Sequence, residues 1–149
     1  MKEKKVILLV EDNQDDEELA LLALKKGHVA NEVVVARDGA EALDYLFGTG
    51  EHTGRDVSIL PQLVLLDLKL PKIDGLEVLR RLRADTRTRR LPIVILTSSK
   101  AEEDLIKGYD EGANSYVRKP VDFRQFTEAV RHLQMYWLVL NEAPPLGSC

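Results

Sequence analysis

Short runs of branched apolar residues alternate along the chain with stretches in which apolar residues recur every three or four positions. Five of the short runs, beginning near residues 6, 33, 63, 93 and 116, fit strands. The run at 63–66 reads Leu-Val-Leu-Leu, and a run this short and this apolar is typical of a parallel strand buried on both faces. It stops at Asp67, and Pro71 and Gly75 then turn the chain into a loop. Asp67 is therefore predicted to stand at the carboxyl end of a central strand, where open α/β sheets bind ligands.

Each predicted strand is followed by a segment with the signals of a helix. Asp38 and Glu41, and again Ser99 and Glu102, have the spacing of a capping box, and Asp122 is placed to cap the last helix. Strands that alternate with helices predict a parallel sheet covered on both faces and joined by right-handed crossovers. The long stretch 48–61, rich in glycine, is predicted to be a loop.

Length and composition indicate one globular domain, which we assign to residues 1–140 with a tail at 141–149. The net charge of −4 gives no reason to expect nucleic acid as a partner, and no apolar run approaches the roughly 18 residues of a membrane span. The chain begins without the pattern of a signal peptide, and its single cysteine, Cys149, cannot form an internal disulfide. We therefore expect a cytoplasmic protein with no output domain attached.

Polar residues follow the predicted strands at the points where the strands end. They are Glu11 and Asp12 after the first strand, Asp67 after the third, Thr97 at the end of the fourth and Lys119 after the fifth. Carboxyl ends of parallel strands lie on one edge, and two carboxylates about 5 Å apart repel by roughly 3 kcal/mol at a dielectric constant near 20. A divalent ion with oxygen ligands, such as Mg²⁺, would offset this repulsion. The cluster thus predicts a Mg²⁺ site beside an aspartate that can attack phosphorus, with Lys119 and Thr97 stabilising the phosphoryl oxygens.

Taken singly, these residues have simpler interpretations. Asp67 can merely mark where a strand reaches water, Glu11 and Asp12 can cap a helix, and Lys119 can be a solvated side chain. Their occurrence together at the correct strand ends is what makes the pattern specific. The motifs that contain them resemble the receiver domain of two-component response regulators over about residues 5–135. These motifs are Val10-Glu11-Asp12-Asn13, Leu66-Asp67-Leu68 with Leu70-Pro71 and Asp74-Gly75, Leu96-Thr97-Ser98, and Lys119-Pro120.

The resemblance implies a flavodoxin-like, doubly wound sheet of five parallel strands in the order 2-1-3-4-5, with five helices. It implies that Asp67 is the phosphoacceptor for a histidine kinase or a phosphotransfer protein. Glu11 and Asp12 would hold Mg²⁺ with Asp67, and Lys69 would add its backbone carbonyl. Lys69 departs from the short polar or acidic side chain that many receivers have there, and we expect it, like Ser99, to influence the rate of hydrolysis.

The resemblance also implies a conformational switch. Thr97 and Lys119 would contact the phosphoryl group, and Tyr116, three residues before the lysine, would match the aromatic residue that enters the space that Thr97 leaves. Tyr116 could instead be a static, half-buried aromatic residue. The bond between Lys119 and Pro120 is expected to be cis.

A finer resemblance concerns the small response regulators that are paired with bacterial phytochrome kinases. It rests on the run 11–16, on the long loop before the third strand and on the apolar segment near the end of the chain, with Asn141 and Pro144-Pro145 after it. An apolar helix end should be buried, either on its own core or against a second copy. We expect a homodimer contact through Tyr136, Trp137 and Leu138, because exposed apolar patches usually mark interfaces.

Three other interpretations compete with a phosphorylated receiver. A haloacid-dehalogenase-like phosphatase needs an acid two residues after its nucleophile, where this chain has Lys69. A flavodoxin-like cofactor carrier needs a phosphate-binding loop where this chain has Glu11 and Asp12, which repel phosphate. A degenerate receiver that binds partners without phosphorylation is the remaining alternative, and the complete set of site residues argues against it. We expect no enzymatic activity beyond self-phosphorylation and autodephosphorylation.

Overall fold

The computed structural model describes residues 5–27, 31–98, 102–119 and 122–144, and it contains one five-stranded sheet. The strands are β1 Lys5–Val10, β2 Asn31–Ala36, β3 Leu63–Leu66, β4 Ile93–Thr97 and β5 Ser115–Arg118. The helices are α1 Gln14–Lys26, α2 Gly39–Phe47, α3 Gly75–Ala84, α4 Glu102–Asp110 and α5 Phe123–Met135. All strand pairs are parallel and the order is β2-β1-β3-β4-β5. The predicted flavodoxin-like fold is confirmed.

Two hydrophobic clusters, one on each face of the sheet, hold the fold together. Helices α2 and α3 pack on one face, and α1 and α5 pack on the other. All four residues of β3 are at most 1% exposed, as expected for a central strand that is covered on both faces. The carboxyl end of β3, where Asp67 follows, is therefore held by the most completely buried part of the molecule.

Short polar side chains begin four of the helices by accepting hydrogen bonds from the first-turn amides. Asp38 accepts from Glu41 N at 2.7 Å, and Asp122 accepts from two amides of α5, so these two predicted caps are confirmed. Asn13, rather than Glu11 or Asp12, caps α1. Asp74 caps α3. The predicted cap at Ser99, its predicted effect on hydrolysis and the predicted cis bond before Pro120 lie outside the described residues.

The stretch 48–61 contains a turn of 3₁₀-helix at Gly50–His52 and is organised by Arg55. The guanidinium lies 4.0 Å from the centre of the Tyr45 ring, and its Nε donates to the Tyr45 carbonyl at 2.6 Å. Its Nη1 also donates to the carbonyl of Ile59 at 3.1 Å. One arginine therefore attaches this long loop to the end of α2.

Helix α5 continues into a turn of π-helix at Tyr136–Leu140. Leu138 is only 1% exposed and packs with α1 and α5, and its carbonyl accepts a hydrogen bond from Lys5 Nζ. The prediction that Leu138 lies in a dimer interface is therefore wrong, because its side chain fills the core of its own chain. Tyr136 and Leu140, in contrast, are 49% and 69% exposed. None of the described helices is long and apolar enough to cross a membrane.

Candidate functional site

The carboxylates of Glu11, Asp12 and Asp67 meet at the edge of the sheet where β1 and β3 end. One oxygen from each lies within 4.8 Å of the others. Glu11 and Asp67 are buried, whereas Asp12 is exposed. Among the described residues this group consists of carboxylates alone, whose oxygens suit a hard divalent cation such as Mg²⁺ or Mn²⁺, and the exposed side leaves room for water ligands.

Lys119 enters the same cluster from the end of β5. Its Nζ lies 2.5 Å from Glu11 Oε1, 2.8 Å from Asp16 Oδ2 and 3.2 Å from Asp67 Oδ2, and its side chain is only 7% exposed. No contact between Asp16 and Lys119 was predicted from the sequence, where Asp16 stands only within the run 11–16. Its place in the first turn of α1, which begins at this edge directly after β1, is the signal that could have indicated it.

Burial and charge act against each other in this cluster. Burial raises the pKa of the Glu11 carboxyl to about 7, and the hydrogen bond and charge of Lys119 only partly oppose this rise. Burial also disfavours the charged form of Lys119. Nevertheless Asp16, Glu11 and Asp67 together outweigh that burial and raise the pKa of the Lys119 ammonium above its usual value. Lys119 is therefore a permanent cation, surrounded by more negative charge than it can neutralise alone.

Thr97 and Tyr116 lie on the two strands beside the cluster. Thr97 is fully buried as the last residue of β4, and its carbonyl accepts a hydrogen bond from Lys119 N at 2.8 Å. Tyr116 is half-buried opposite Ile95 in the register of β4 and β5. A Cβ atom at Gly108 of α4 would lie 3.3 Å from the Tyr116 ring, so the ring packs closely under that helix. The signalling roles assigned to Thr97 and Tyr116 stay predictions.

The loop that follows Asp67 is tightly folded. Gly75 N donates to Leu68 O at 2.9 Å, and a side chain at Gly75 would collide with the carbonyl of Asp67, which explains why glycine suits this position. Lys69 N approaches Asp67 Oδ1 at 3.4 Å, and Lys69 Nζ lies 3.8 Å from Asp104 Oδ2 of α4. The use of the Lys69 carbonyl as a metal ligand stays a prediction.

Residues 7–131 match the family described as the response regulator receiver domain. The chain belongs to this family. Response regulator Rcp1 of Synechocystis sp. is 38% identical to this receiver over 134 residues, which cover 90% of this chain and 89% of Rcp1. As a receiver domain with this fold and this acidic edge, the chain functions in phosphorelay signal transduction.

Three solved structures show how closely the fold is shared. The phosphorylated cyanobacterial phytochrome response regulator RcpA has a TM-score of 0.89 and 39% identity, and the match covers 96% of this receiver and all of RcpA. The bacteriophytochrome response regulator AtBRR has 54% identity and a TM-score of 0.74, over 95% of this receiver and all of AtBRR. For Rcp1, a Mn²⁺-bound structure has a TM-score of 0.88, with 36% identity over 95% of this receiver and 99% of that chain.

Proposed function

We propose that this receiver accepts a phosphoryl group from the phosphohistidine of a sensor kinase, or of a phosphotransfer protein, onto Asp67. The observation that carries the proposal is the position of the Asp67 carboxylate. It lies within 4.8 Å of the Glu11 and Asp12 oxygens and 3.2 Å from the Lys119 ammonium. A carboxylate next to both a cation site and a buried ammonium can attack a phosphoryl group whose charge these two cations neutralise.

In the reaction, an oxygen of Asp67 forms a bond to phosphorus while the bond from phosphorus to the imidazole nitrogen breaks. The electron pair of that bond goes to the nitrogen, and the histidine leaves as neutral imidazole when its other nitrogen carries a proton. Lys119 and the hydroxyl of Thr97 donate hydrogen bonds to the phosphoryl oxygens. Mg²⁺, when bound by Glu11, Asp12, Asp67 and the carbonyl of Lys69, supplies further neutralisation of the phosphoryl charge.

The proposed output is a change in the partners that the receiver binds. Movement of the Thr97 side chain toward the phosphoryl group leaves space beside β4, and the ring of Tyr116 turns into it. The surface formed by α4, β5 and α5 changes as a result. The packing of the Tyr116 ring under Gly108 supports this coupling, because the ring already lies between β5 and α4.

The phytochrome names of RcpA and AtBRR support a kinase of the phytochrome type as the phosphodonor. The Mn²⁺-bound form of Rcp1 supports a divalent cation, for which we propose Mg²⁺. We assign only two reactions to the chain, which are the transfer of a phosphoryl group onto itself and the removal of that group. We place it in the cytoplasm, without nucleic acid or membrane as partners.

We also include a homodimer in the proposal, formed through the end of α5. Tyr136 and Leu140 are exposed there, and Val139 between them is 50% exposed. A groove of about 560 Å³ lies beside these residues, between β5 and α5, with Trp137 and Leu133 among its lining. Exposed apolar side chains next to an open groove support a contact with a second copy.

The experiment that tests the acceptor is intact-mass analysis after incubation with acetyl phosphate. Wild type, Asp67→Asn and the exposed control Asp15→Asn are each measured with Mg²⁺ and with EDTA. We expect a single phosphoryl adduct on wild type and on the control with Mg²⁺, and none on Asp67→Asn. The absence of an adduct on wild type would support the degenerate receiver, whereas an adduct on Asp67→Asn would identify a different nucleophile.

A further inference from the structure

The ammonium of Lys119 has three N–H groups and is in contact with three carboxylates. Glu11 and Asp16 lie at 2.5 and 2.8 Å from Nζ, and Asp67 lies at 3.2 Å. An ammonium group donates at most three hydrogen bonds, so every donor of Lys119 has an acceptor. Because two N–H groups point toward Glu11 and Asp16, the third is directed at the carboxylate of Asp67, the proposed phosphoacceptor.

The position of Asp16 does not depend on Glu11, Asp12 and Asp67, the carboxylates that could share a cation. It lies in the first turn of α1, where its backbone N–H donates to the side chain of the cap residue Asn13 at 3.0 Å. The start of α1 thereby fixes the place from which the Asp16 carboxylate reaches Lys119. The side chain of Asp16 is 30% exposed, which leaves it partly hydrated, whereas that of Lys119 is almost fully enclosed.

We propose that Asp16 is a positioning residue for phosphoryl transfer, which holds the Lys119 ammonium so that its third N–H faces the acceptor oxygen of Asp67. The inference rests on the proposed function of Asp67. With acetyl phosphate as donor, the Asp67 carboxylate forms the bond to phosphorus, the bond from phosphorus to the acetyl oxygen breaks, and acetate leaves with its electron pair. Lys119 keeps its contacts with Glu11 and Asp16 during the transfer and donates its third N–H to a phosphoryl oxygen.

The charge of Asp16 has an opposite effect, since it repels the incoming phosphoryl group. The carboxylates of Asp16 and Asp67 both touch one nitrogen, so they lie within about 6 Å of each other. Asp16 is paired with Lys119 and is partly hydrated, and both features weaken this repulsion. Orientation of the ammonium should therefore decide the rate, and loss of Asp16 should slow the reaction by about tenfold, less than the roughly hundredfold that a 1 Å misplacement can cost, because Glu11 still holds the ammonium.

The test compares rates of adduct formation at fixed acetyl phosphate and saturating Mg²⁺. Asp16→Ala should react about tenfold more slowly than wild type, and Asp16→Asn, which keeps an acceptor oxygen, should be intermediate. Asp15→Ala removes the same charge from the same helical turn, but the side chain of Asp15 is exposed. This variant should therefore react at the wild-type rate. In a Lys119→Met background, Asp16→Ala should cause no further loss, because Asp16 acts through Lys119.

A second measurement does not depend on phosphorylation. Reductive methylation followed by peptide mass spectrometry reports how readily the Lys119 amine reacts, and the amine should react faster in Asp16→Ala than in wild type or Asp15→Ala. A wild-type rate of phosphorylation in Asp16→Ala, an equal loss in the Lys119→Met background, or unchanged methylation would each overturn the inference. If wild type forms no adduct, the proposed function fails and the inference fails with it. An adduct that needs Asp67 but is insensitive to Asp16 overturns only the inference.

Discussion

Replacement of Asp12 by asparagine should make the metal-free protein more stable. Asp12 is the exposed member of the carboxylate group that it forms with Glu11 and Asp67, and Lys119 contacts the other two members directly. Its charge therefore repels two neighbours that the fold holds close to it. Asparagine keeps the size and the hydrogen-bonding oxygen of the side chain and removes the charge.

The distances set the magnitude of this effect. Two unit charges 4.8 Å apart repel by about 0.9 kcal/mol in water and by about 3.5 kcal/mol at a dielectric constant near 20. Because Asp12 is exposed, the lower value applies, and two neighbours give about 2 kcal/mol at about pH 8.5, where the Glu11 carboxyl, whose pKa is about 7, is ionised. Part of this repulsion persists in the unfolded chain, where Glu11 is adjacent, and some favourable interaction with the start of α1 is lost. We therefore expect a net gain of about 1 kcal/mol in the free energy of unfolding.

Urea unfolding in EDTA and in Mg²⁺ measures the effect. Mg²⁺ at ten times its Kd adds about 1.4 kcal/mol to the stability of wild type, and this increment should shrink in Asp12→Asn because a charged ligand becomes a neutral one. Asp15→Asn serves as the matched control, since it removes an exposed charge from the first turn of α1 at a residue outside the group of Glu11, Asp12 and Asp67. It should lower stability by about 0.5 kcal/mol through the helix dipole.

The opposite signs expected for Asp12→Asn and Asp15→Asn make the result decisive. If Asp12→Asn is no more stable than wild type in EDTA, with an unchanged dependence on urea, the carboxylates do not repel one another as their spacing implies. A full Mg²⁺ increment in Asp12→Asn would show that Asp12 is not a ligand.

Two further predictions concern regions away from the site. If wild type sediments as the proposed dimer, the double variant Tyr136→Ser with Leu140→Ser should sediment as a monomer, and a double variant that still sediments as a dimer would place the interface elsewhere. Leu138→Ala should instead lower the free energy of unfolding by about 3 kcal/mol, because its side chain is buried. Arg55→Met should cost about 2 kcal/mol and expose the stretch 48–61 to limited proteolysis, because the contacts with Tyr45 are lost; unchanged stability and cleavage would contradict this role.

Much of the fold follows from local pattern. The apolar run before Asp67 is too short for a helix and too apolar for an exposed strand, and the structure buries it at the centre of the sheet. The caps Asp38 and Asp122 were also predictable, since a capping side chain bonds to amides two or three residues away. These features depend on residues that are close together in the sequence, and they can therefore be predicted from it.

The errors and omissions have a common physical origin. Leu138 was assigned to an interface because an apolar run looks the same whether it covers its own core or meets a second copy. The stretch 48–61 was read as an irregular loop, because the stacking of Arg55 on Tyr45 joins residues ten apart and follows no helical or strand period. Each case depends on how a side chain is oriented after the elements have packed.

The order of strands and helices and the polar residues at the strand ends could be predicted from the sequence, because hydrophobic periodicity and parallel topology bring those ends to one edge. How the charges at that edge are shared depends on the packing of the whole chain. Lys119 and Asp16 are 103 residues apart, and their contact exists because the crossovers bring the end of β5 beside the first turn of α1. Distances of a few ångströms between charges set their energies, and such distances are a property of the packed chain.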